Sequence, residues 1–291
     1  MFDDFTAHRF DSAGVEIAVW TAGSGPPLLL IHGYPQTHVM WHRIVPALAE
    51  RFTVVAPDLR GYGDSAKPAG TADHVNYSKR VMAADLVALM ASLGHARFAV
   101  AGHDRGGRVA YRLALDHPQA VAQVAVLDIV PTKALYDATD RIIADAYFHW
   151  FMLTKPAPIP EALIGGAPDV WLDMCFGGWA ATAGAFTPTA RAEYHRCFAT
   201  AAGIHATCED YRAGATVDYD HDAATIAAGA KITAPLLVLW GARGLVGAKF
   251  DPLAVWRDYA IDVRGSALPC GHFLPEEAPD ETLAALVRFF A

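Results

Sequence analysis

Short apolar runs alternate along most of the chain with stretches that carry apolar residues at helical spacing. Residues 28–31 and 121–127 are typical of buried strands, whereas the apolar positions within 78–93 recur every three or four residues. Strands that alternate with helices predict a mostly parallel sheet with helices on both faces. The pattern therefore predicts an α/β fold.

The same pattern places the individual elements. The predicted strands are residues 15–21 (an alternating, antiparallel-like pattern), 28–31, 53–56, 98–101, 121–127, 235–240 and 260–267. The predicted helices are residues 39–51, 78–93 and 105–116, and a last helix that ends at Phe290.

The alternation stops between residues 131 and 230. This stretch is helical, aromatic and interrupted by prolines, as in TKPAPIPEALIGG at 154–166. A long insertion between two strands of a sheet is typical of a lid over a functional site. We therefore expect a core in two parts, 1–130 and 231–291, with a helical cap at 131–230.

The most informative motif lies between a predicted strand and a predicted helix. It reads AVAGHDRGG and places Asp104 in the middle of a Gly-x-nucleophile-x-Gly pattern, where Ser is the usual residue. A carboxylate nucleophile displaces a leaving group from carbon and forms an ester on itself. The motif therefore favours cleavage of a carbon–halogen bond or opening of an epoxide over ester hydrolysis.

Two further residues complete a candidate catalytic set. His272 lies between the last predicted strand and the last helix, and Asp128 directly follows the strand at 121–127. The alternative position for the acid follows Trp240, but no carboxylate occurs there before Asp251. We therefore expect Asp128 to orient His272 and to stabilise its imidazolium form. The chain order of nucleophile, acid and base is that of α/β-hydrolases.

An oxyanion hole is expected beside the nucleophile. The backbone amide of Arg105, the residue after Asp104, is one expected donor. The second is expected from the loop after His32 and Gly33, at the amide of Tyr34. These two amides would stabilise negative charge on an oxygen of Asp104.

Composition narrows the class of protein further. The chain has 291 residues, 53% of them hydrophobic, and a net charge of −8, which argues against general nucleic-acid binding. It shows no signal peptide and no apolar run of membrane-spanning length. The four cysteines form no CxxC pair, the histidines show no metal-ligand spacing, and the glycines form no phosphate-binding loop. We expect a cytoplasmic enzyme with reduced thiols that uses no metal and no cofactor and does not bind membranes.

From about His32 to the C-terminus the chain resembles fluoroacetate dehalogenases, a group of α/β-hydrolases. The resemblance is carried by HGYPQTHVMWHR, DLRGYGDS, AGHDRGGR, FHW, CEDYRAGA and GHFLPEEAPD. It implies a homodimeric enzyme that converts haloacetates to glycolate, with Asp104 as nucleophile, His272 as base and Asp128 as acid.

The resemblance also assigns the binding residues. Arg105 and Arg108 would bind the substrate carboxylate, and His149, Trp150 and Tyr211 of the cap would bind the departing halide. Trp179 corresponds to a cap tryptophan near the pocket entrance. Two guanidinium groups would offset the repulsion between an anionic substrate and a carboxylate nucleophile, and three polar hydrogens would replace the water around fluoride.

Three other readings of the chain compete. An epoxide hydrolase uses the same nucleophile but usually carries Trp after it and a pair of cap tyrosines, of which only Tyr211 is evident here. A haloalkane dehalogenase also favours Trp at that position and has no use for a carboxylate clamp. A non-catalytic binding protein of this fold is disfavoured by the complete set of Asp104, Asp128 and His272.

Overall fold

One twisted sheet runs through the computed structural model, which describes residues 1–2 and 4–291. Its strands are β1 (Thr6–Ser12), β2 (Val15–Ala22), β3 (Pro27–Ile31), β4 (Thr53–Pro57), β5 (Phe98–His103), β6 (Val121–Leu127), β7 (Leu236–Gly241) and β8 (Val263–Leu268). They follow the order β1-β2-β4-β3-β5-β6-β7-β8. The β1–β2 and β2–β4 pairs are antiparallel and the other pairs are parallel. The predicted α/β-hydrolase fold class is confirmed.

Helices that flank the sheet connect most of its strands. Before the insertion they are α1 (Val45–Ala49), α2 (Lys79–Ser92) and α3 (Arg105–Asp116), with two 3₁₀ helices at His38–Trp41 and Val75–Tyr77. After it they are α12 (Leu245–Lys249), α13 (Pro252–Arg257), α14 (Leu274–Glu277) and α15 (Pro279–Phe290). Ser78 caps α2 by accepting a hydrogen bond from the amide of Val81, which is why the helix begins where the sequence predicts.

Helices also occupy the chain between β6 and β7. They are α4 (Thr132–Asp137), α5 (Arg141–Ala146), α6 (His149–Met152), α7 (Ile159–Gly165), α8 (Pro168–Trp179), α9 (Pro188–Phe198), α10 (Ala201–Ala215) and α11 (Val217–Ala227). No strand is assigned between β6 and β7 in the described part of the chain. None of the helices in residues 1–2 and 4–291 has the length and apolar character needed to span a bilayer.

Two features of the fold differ from the sequence-based prediction. Strand β1 was not predicted, because its largely exposed sequence TAHRFDS carries no strand-like apolar pattern, and it forms by pairing with β2 over its whole length. The single helix predicted at 39–51 is wrong. The chain forms the 3₁₀ helix and then α1, whose first turn contains Pro46, a residue that cannot donate a hydrogen bond within a continuous helix.

The parallel strands bring the candidate catalytic residues to one edge of the sheet. The amide of Asp104 donates to the carbonyl of Leu127, and the amide of Asp128 donates to that of Leu239. The hydrogen-bond ladder therefore extends one residue beyond β5 and one beyond β6, which fixes both carboxylates at the carboxyl edge of the sheet.

Candidate active site

Asp104 lies on a strained turn between β5 and α3. Its φ of 48° is rarely adopted by a residue with a side chain, and it turns the carboxylate away from the sheet. A side chain on Gly106 would lie 2.2 Å from the carbonyl oxygen of His32, and one on Gly33 would lie 2.5 Å from the Cβ of Asp104. Glycine is therefore required at both positions for the turn to pack against the neighbouring loop.

His272 lies between the two other members of the predicted catalytic set. Its Nδ1 is 2.6 Å from Oδ2 of Asp128, and its Nε2 is 3.8 Å from Oδ2 of Asp104. Oδ1 of Asp128 accepts a hydrogen bond of 2.9 Å from the amide of Gly241. Because Asp128 accepts the Nδ1 hydrogen, Nε2 carries no proton when the ring is neutral, and this atom faces Asp104. Burial would lower the pKa of His272, but the hydrogen bond and charge of Asp128, with the charge of Asp104, raise it.

The carboxylate of Asp104, the candidate nucleophile, is held in its ionised form. Burial alone would raise the pKa of Asp104, but His272, His103, Arg105 and Arg108 together lower it. The amide of Tyr34 donates a hydrogen bond of 2.9 Å to its Oδ1. Oδ2 remains on the side of His272. The structure thus places the predicted Tyr34 amide against one oxygen of the carboxylate and leaves the other free to react.

The amide of Arg105 occupies the first position of α3, directly after Asp104. The first amides of a helix have no acceptor within it. This position fits the second donor that the sequence predicts for the oxyanion hole.

Arg105 and Arg108 in the first turns of α3 are both buried, but they have different partners. Arg105 forms an ion pair with Asp210, with Nε 2.9 Å from Oδ2 and Nη2 2.9 Å from Oδ1. Arg108 donates from Nη1 to two uncharged oxygens, the Val130 carbonyl at 2.9 Å and the Thr132 hydroxyl at 3.2 Å. Nη1 of Arg105 and Nε of Arg108 are buried without a hydrogen-bond partner in the described structure.

Two side chains from the helices between β6 and β7 face these arginines, and a third contacts one of the two. The guanidinium carbon of Arg105 lies 4.3 Å from the ring centre of Tyr211, and that of Arg108 lies 4.4 Å from the ring centre of Trp150. The ring of His149 is 5.6 Å from that of Tyr211. The structure therefore brings His149, Trp150 and Tyr211 together beside the nucleophile, as the sequence predicts.

Two of these cap residues carry buried atoms without a partner, Nδ1 of His149 and the hydroxyl of Tyr211. Burial lowers the pKa of His149 to about 3, so its ring is neutral at ordinary pH. Burial, with the charge of Asp104, raises the pKa of Tyr211 well above its usual value, so it keeps its proton. Both side chains are neutral groups with a hydrogen to donate and no acceptor within the described residues.

An outer pocket of about 460 Å³ opens beside His272 and Trp179. Its wall also includes Tyr147, Phe148 and Arg243, but neither Arg105 nor Arg108. The ring of Trp179 lies 4.4 Å from that of His149 and 5.8 Å from that of His272. Trp179 therefore lines this pocket and contacts both His149 and His272.

Sequence reasoning missed other residues of the site. Tyr147 is buried, with its ring 5.3 Å from that of His149, and the aromatic run at 147–151 was the available signal. Asp210 accepts hydrogen bonds from Arg105, Lys79 and Tyr62, and no local pattern marks these contacts because they join residues more than 100 positions apart. No group of His, Cys, Asp or Glu in the described chain could hold a metal ion.

Comparison with known proteins places the chain among enzymes of this fold. The family model for the alpha/beta hydrolase fold matches residues 26–279. A fluoroacetate dehalogenase from Burkholderia sp. is 45% identical over the whole chain and 95% of its own length. A soluble epoxide hydrolase from Corynebacterium sp. is 35% identical over the whole chain and 99% of its own length.

A solved structure agrees with these relatives. The crystal structure of a proposed alpha/beta hydrolase from Nostoc sp. PCC 7120 superposes with a TM-score of 0.97. It is 56% identical in sequence and covers 99% of each chain.

Proposed function

The chain belongs to the alpha/beta hydrolase family, and within that family we propose that it is a haloacetate dehalogenase. It converts a haloacetate and water to glycolate and halide, with fluoroacetate as the favoured substrate. The observation that carries this proposal is a carboxylate nucleophile beside buried, unpartnered donors of Arg105, Arg108, His149 and Tyr211. Such donors fit a small anionic substrate that releases a halide ion.

The first step is displacement at the α-carbon. Oδ2 of Asp104 attacks the carbon in line with the carbon–halogen bond, and the halide leaves with the bonding electrons. Arg105 and Arg108 bind the substrate carboxylate through their free nitrogens and offset the repulsion between two anions in a buried site. The product of this step is an ester between Asp104 and glycolate.

The departing halide is stabilised by the cap. The imidazole of His149, the indole of Trp150 and the hydroxyl of Tyr211 donate hydrogen bonds to it in place of water. Fluoride gains most from these donors, because it is the smallest and most strongly hydrated halide. This is the reason for favouring fluoroacetate among the haloacetates.

The second step is hydrolysis of the ester. Nε2 of His272 takes a proton from a water molecule, which attacks the carboxyl carbon of Asp104. Negative charge then develops on Oδ1, where the Tyr34 amide already donates a hydrogen bond of 2.9 Å, and the Arg105 amide supplies the second donor. Asp128 stabilises the imidazolium through Nδ1. Collapse releases glycolate and regenerates the carboxylate of Asp104.

Epoxide hydrolysis is the second candidate function. It is favoured by the Corynebacterium relative and by Tyr147, a second buried tyrosine whose ring, like that of Tyr211, contacts His149. A neutral epoxide, however, would leave Arg108 as a buried cation whose hydrogen bonds in the described structure go to uncharged oxygens. A substrate that carries its own carboxylate resolves this imbalance.

The proposal extends to organisation and location. We take residues 131–230 as a cap that closes over Asp104, because His149, Trp150 and Tyr211 all come from it. We also propose a homodimer, for which exposed apolar side chains on α7 and α8 (Ile159, Leu163 and Val170) offer contact surface. Light scattering coupled to size exclusion would test it. The four cysteines are free and buried, which fits the reducing cytoplasm.

Halide release measured with an ion electrode tests the function. The purified enzyme is given fluoroacetate, chloroacetate and, in a parallel reaction, styrene oxide. We expect fluoride and chloride with stoichiometric glycolate and no diol. Diol from styrene oxide with no halide from either haloacetate would replace the proposal with epoxide hydrolysis.

A further inference from the structure

A buried carboxylate outside the predicted catalytic set accepts hydrogen bonds from the loop that carries His272. Glu277, the last residue of α14, accepts hydrogen bonds of 2.9 Å from the amides of Gly271 and Phe273. These are the residues directly before and after His272. Glu277 is 9% exposed, and both of its oxygens are used. The backbone on either side of the base is thus bound by one side chain.

The same carboxylate reaches the cap. Its Oε2 also accepts a hydrogen bond of 2.7 Å from the amide of Ala181, two residues after Trp179. The amide of His272 itself donates to the carbonyl of Trp179 at 3.0 Å. Three consecutive amides of the His272 loop are therefore bonded either to Glu277 or to the cap segment that Glu277 also binds.

Close packing makes this arrangement specific. A side chain on Gly271 would lie 2.6 Å from the Trp179 carbonyl oxygen and 3.0 Å from Oε1 of Glu277. On the opposite side, Nε2 of His103 lies 2.7 Å from the carbonyl oxygen of His272 and donates to it. His103 immediately precedes the nucleophile. The loop is fixed between the turn that carries Asp104 and the cap segment at Trp179.

We infer that Glu277 is a positioning residue for the general base: it aligns His272 with Asp104 and links that alignment to the docked cap. This inference rests on the proposed function, since it concerns the ester-hydrolysis step of the same site. The carboxylate of Glu277 also acts on the imidazole of His272 through its charge, in addition to its hydrogen bonds with the backbone.

The pKa of His272 provides a measurement that a purely structural role of Glu277 would leave unchanged. The titratable groups that face His272 are Asp104, Asp128, His103, His149 and Glu277. Burial lowers the pKa of His272, Asp128 and Asp104 raise it most, and the charge of Glu277 raises it further. The neutral imidazole is the base, so the rate rises with pH through this pKa. Removing the charge of Glu277 therefore moves that rise to lower pH.

The test compares Glu277→Gln, Glu277→Asp and the wild type in the full-length enzyme. Glu277→Gln removes the charge and places an amide donor against backbone donors. We expect kcat for chloroacetate to fall by roughly tenfold, KM to change little, and the ascending limb of the kcat–pH profile to move to lower pH. Glu277→Asp keeps the charge but shortens the reach, so kcat should fall while the limb stays in place.

Glu276 provides the matched control. It is a buried acid on the same helical turn, but it bonds to Tyr194 and Gln36 rather than to the His272 loop, and burial raises its pKa to about 8. Glu276→Gln should leave the limb where it is. A Glu277→Gln enzyme with wild-type kcat, or with a lowered kcat and an unmoved limb, would overturn the inference. If Glu277→Gln does not fold, the kinetics of Glu277→Asp become the test. Wild-type kinetics of Glu277→Asp would then overturn the inference.

NMR titration of His272 separates this inference from the proposed function. The imidazole pKa can be followed in each folded variant without any substrate. A lower His272 pKa in Glu277→Gln than in wild type supports the inference even for an enzyme that releases no halide. An unchanged His272 pKa contradicts it even where haloacetates are turned over.

Discussion

The core side and the cap side of the site differ in how their polar atoms are satisfied. On the core side, Asp104 accepts from the Tyr34 amide, and Asp128 accepts from the Gly241 amide and from His272. On the side where α3 meets the cap, buried atoms of Arg105, Arg108, His149 and Tyr211 lack any partner within the described structure. The fold satisfies the proposed reacting groups by itself but leaves atoms of the proposed binding groups without partners.

In the proposed function, the core side positions the nucleophile, and the unpartnered donors recognise the substrate. A buried polar atom without a hydrogen bond costs about 1–3 kcal/mol, and such atoms are rare in folded proteins. Four of them lie on neighbouring side chains, where the proposed substrate would accept their hydrogen bonds. A haloacetate offers a carboxylate to the arginines and a halogen to the neutral donors.

The largest expected effect is on the core side. Asp104→Asn preserves the shape of the side chain and its acceptor for Tyr34, but an amide does not displace halide. We expect turnover of every haloacetate to fall by at least about 10⁴-fold. Halide release and thermal denaturation would be measured together. Substantial activity in a normally folded variant would remove Asp104 as the nucleophile.

Arg108 provides the next largest effect, and its loss should affect binding more than folding. Arg108→Gln removes a cation whose partners are a carbonyl and a hydroxyl, so we expect KM for chloroacetate to rise by about 10- to 100-fold with little loss of stability. Arg108→Lys keeps the charge but loses the planar fork of donors of the guanidinium group. Its KM should therefore lie between that of Arg108→Gln and that of wild type. An unchanged KM in Arg108→Gln would show that the carboxylate binds elsewhere.

Arg105 tests the same comparison, because its loss should reduce stability as well as substrate binding. Its removal leaves the buried Asp210 with Lys79 and Tyr62, so Arg105→Gln should lower the thermal denaturation temperature as well as raise KM. Breaking a buried ion pair typically costs about 3–5 kcal/mol. Equal stability of the Arg105→Gln and Arg108→Gln enzymes would show that the two arginines are not divided in this way.

The smallest expected effect concerns the leaving group. Tyr211→Phe removes one neutral donor without changing charge, so we expect kcat for fluoroacetate to fall by about tenfold or more. Bromoacetate should be affected less, because bromide depends less on hydrogen bonds. Halide release from both substrates would be compared in the same preparation. An equal loss for the two would place Tyr211 outside the halide site.

The core side could be predicted because local patterns and strand order determine it. Asp104 and Asp128 each follow a buried apolar run, and parallel strands bring their carboxyl ends to one edge. His272 follows the last strand, where a loop returns to the same edge. Chain order and residue type were therefore enough to bring these three residues together.

The contacts of the cap could not be predicted in the same way. The ion pair of Arg105 with Asp210 and the bond of Glu277 to Ala181 join residues about 100 positions apart. Neither depends on a periodic pattern; both depend on how the helices between β6 and β7 dock on the sheet. Strand β1 was missed for a related reason, since pairing with β2 rather than apolar burial stabilises it.

Trapping the ester on Asp104 tests the central claim most directly. His272→Asn leaves the nucleophile, the arginines and the cap donors in place but removes the base for ester hydrolysis. After incubation with chloroacetate, we expect the intact protein to gain the mass of one carboxymethyl group, located by peptide mapping on Asp104. A full-length, folded variant that stays unmodified, or that carries the group on another residue, would contradict the account.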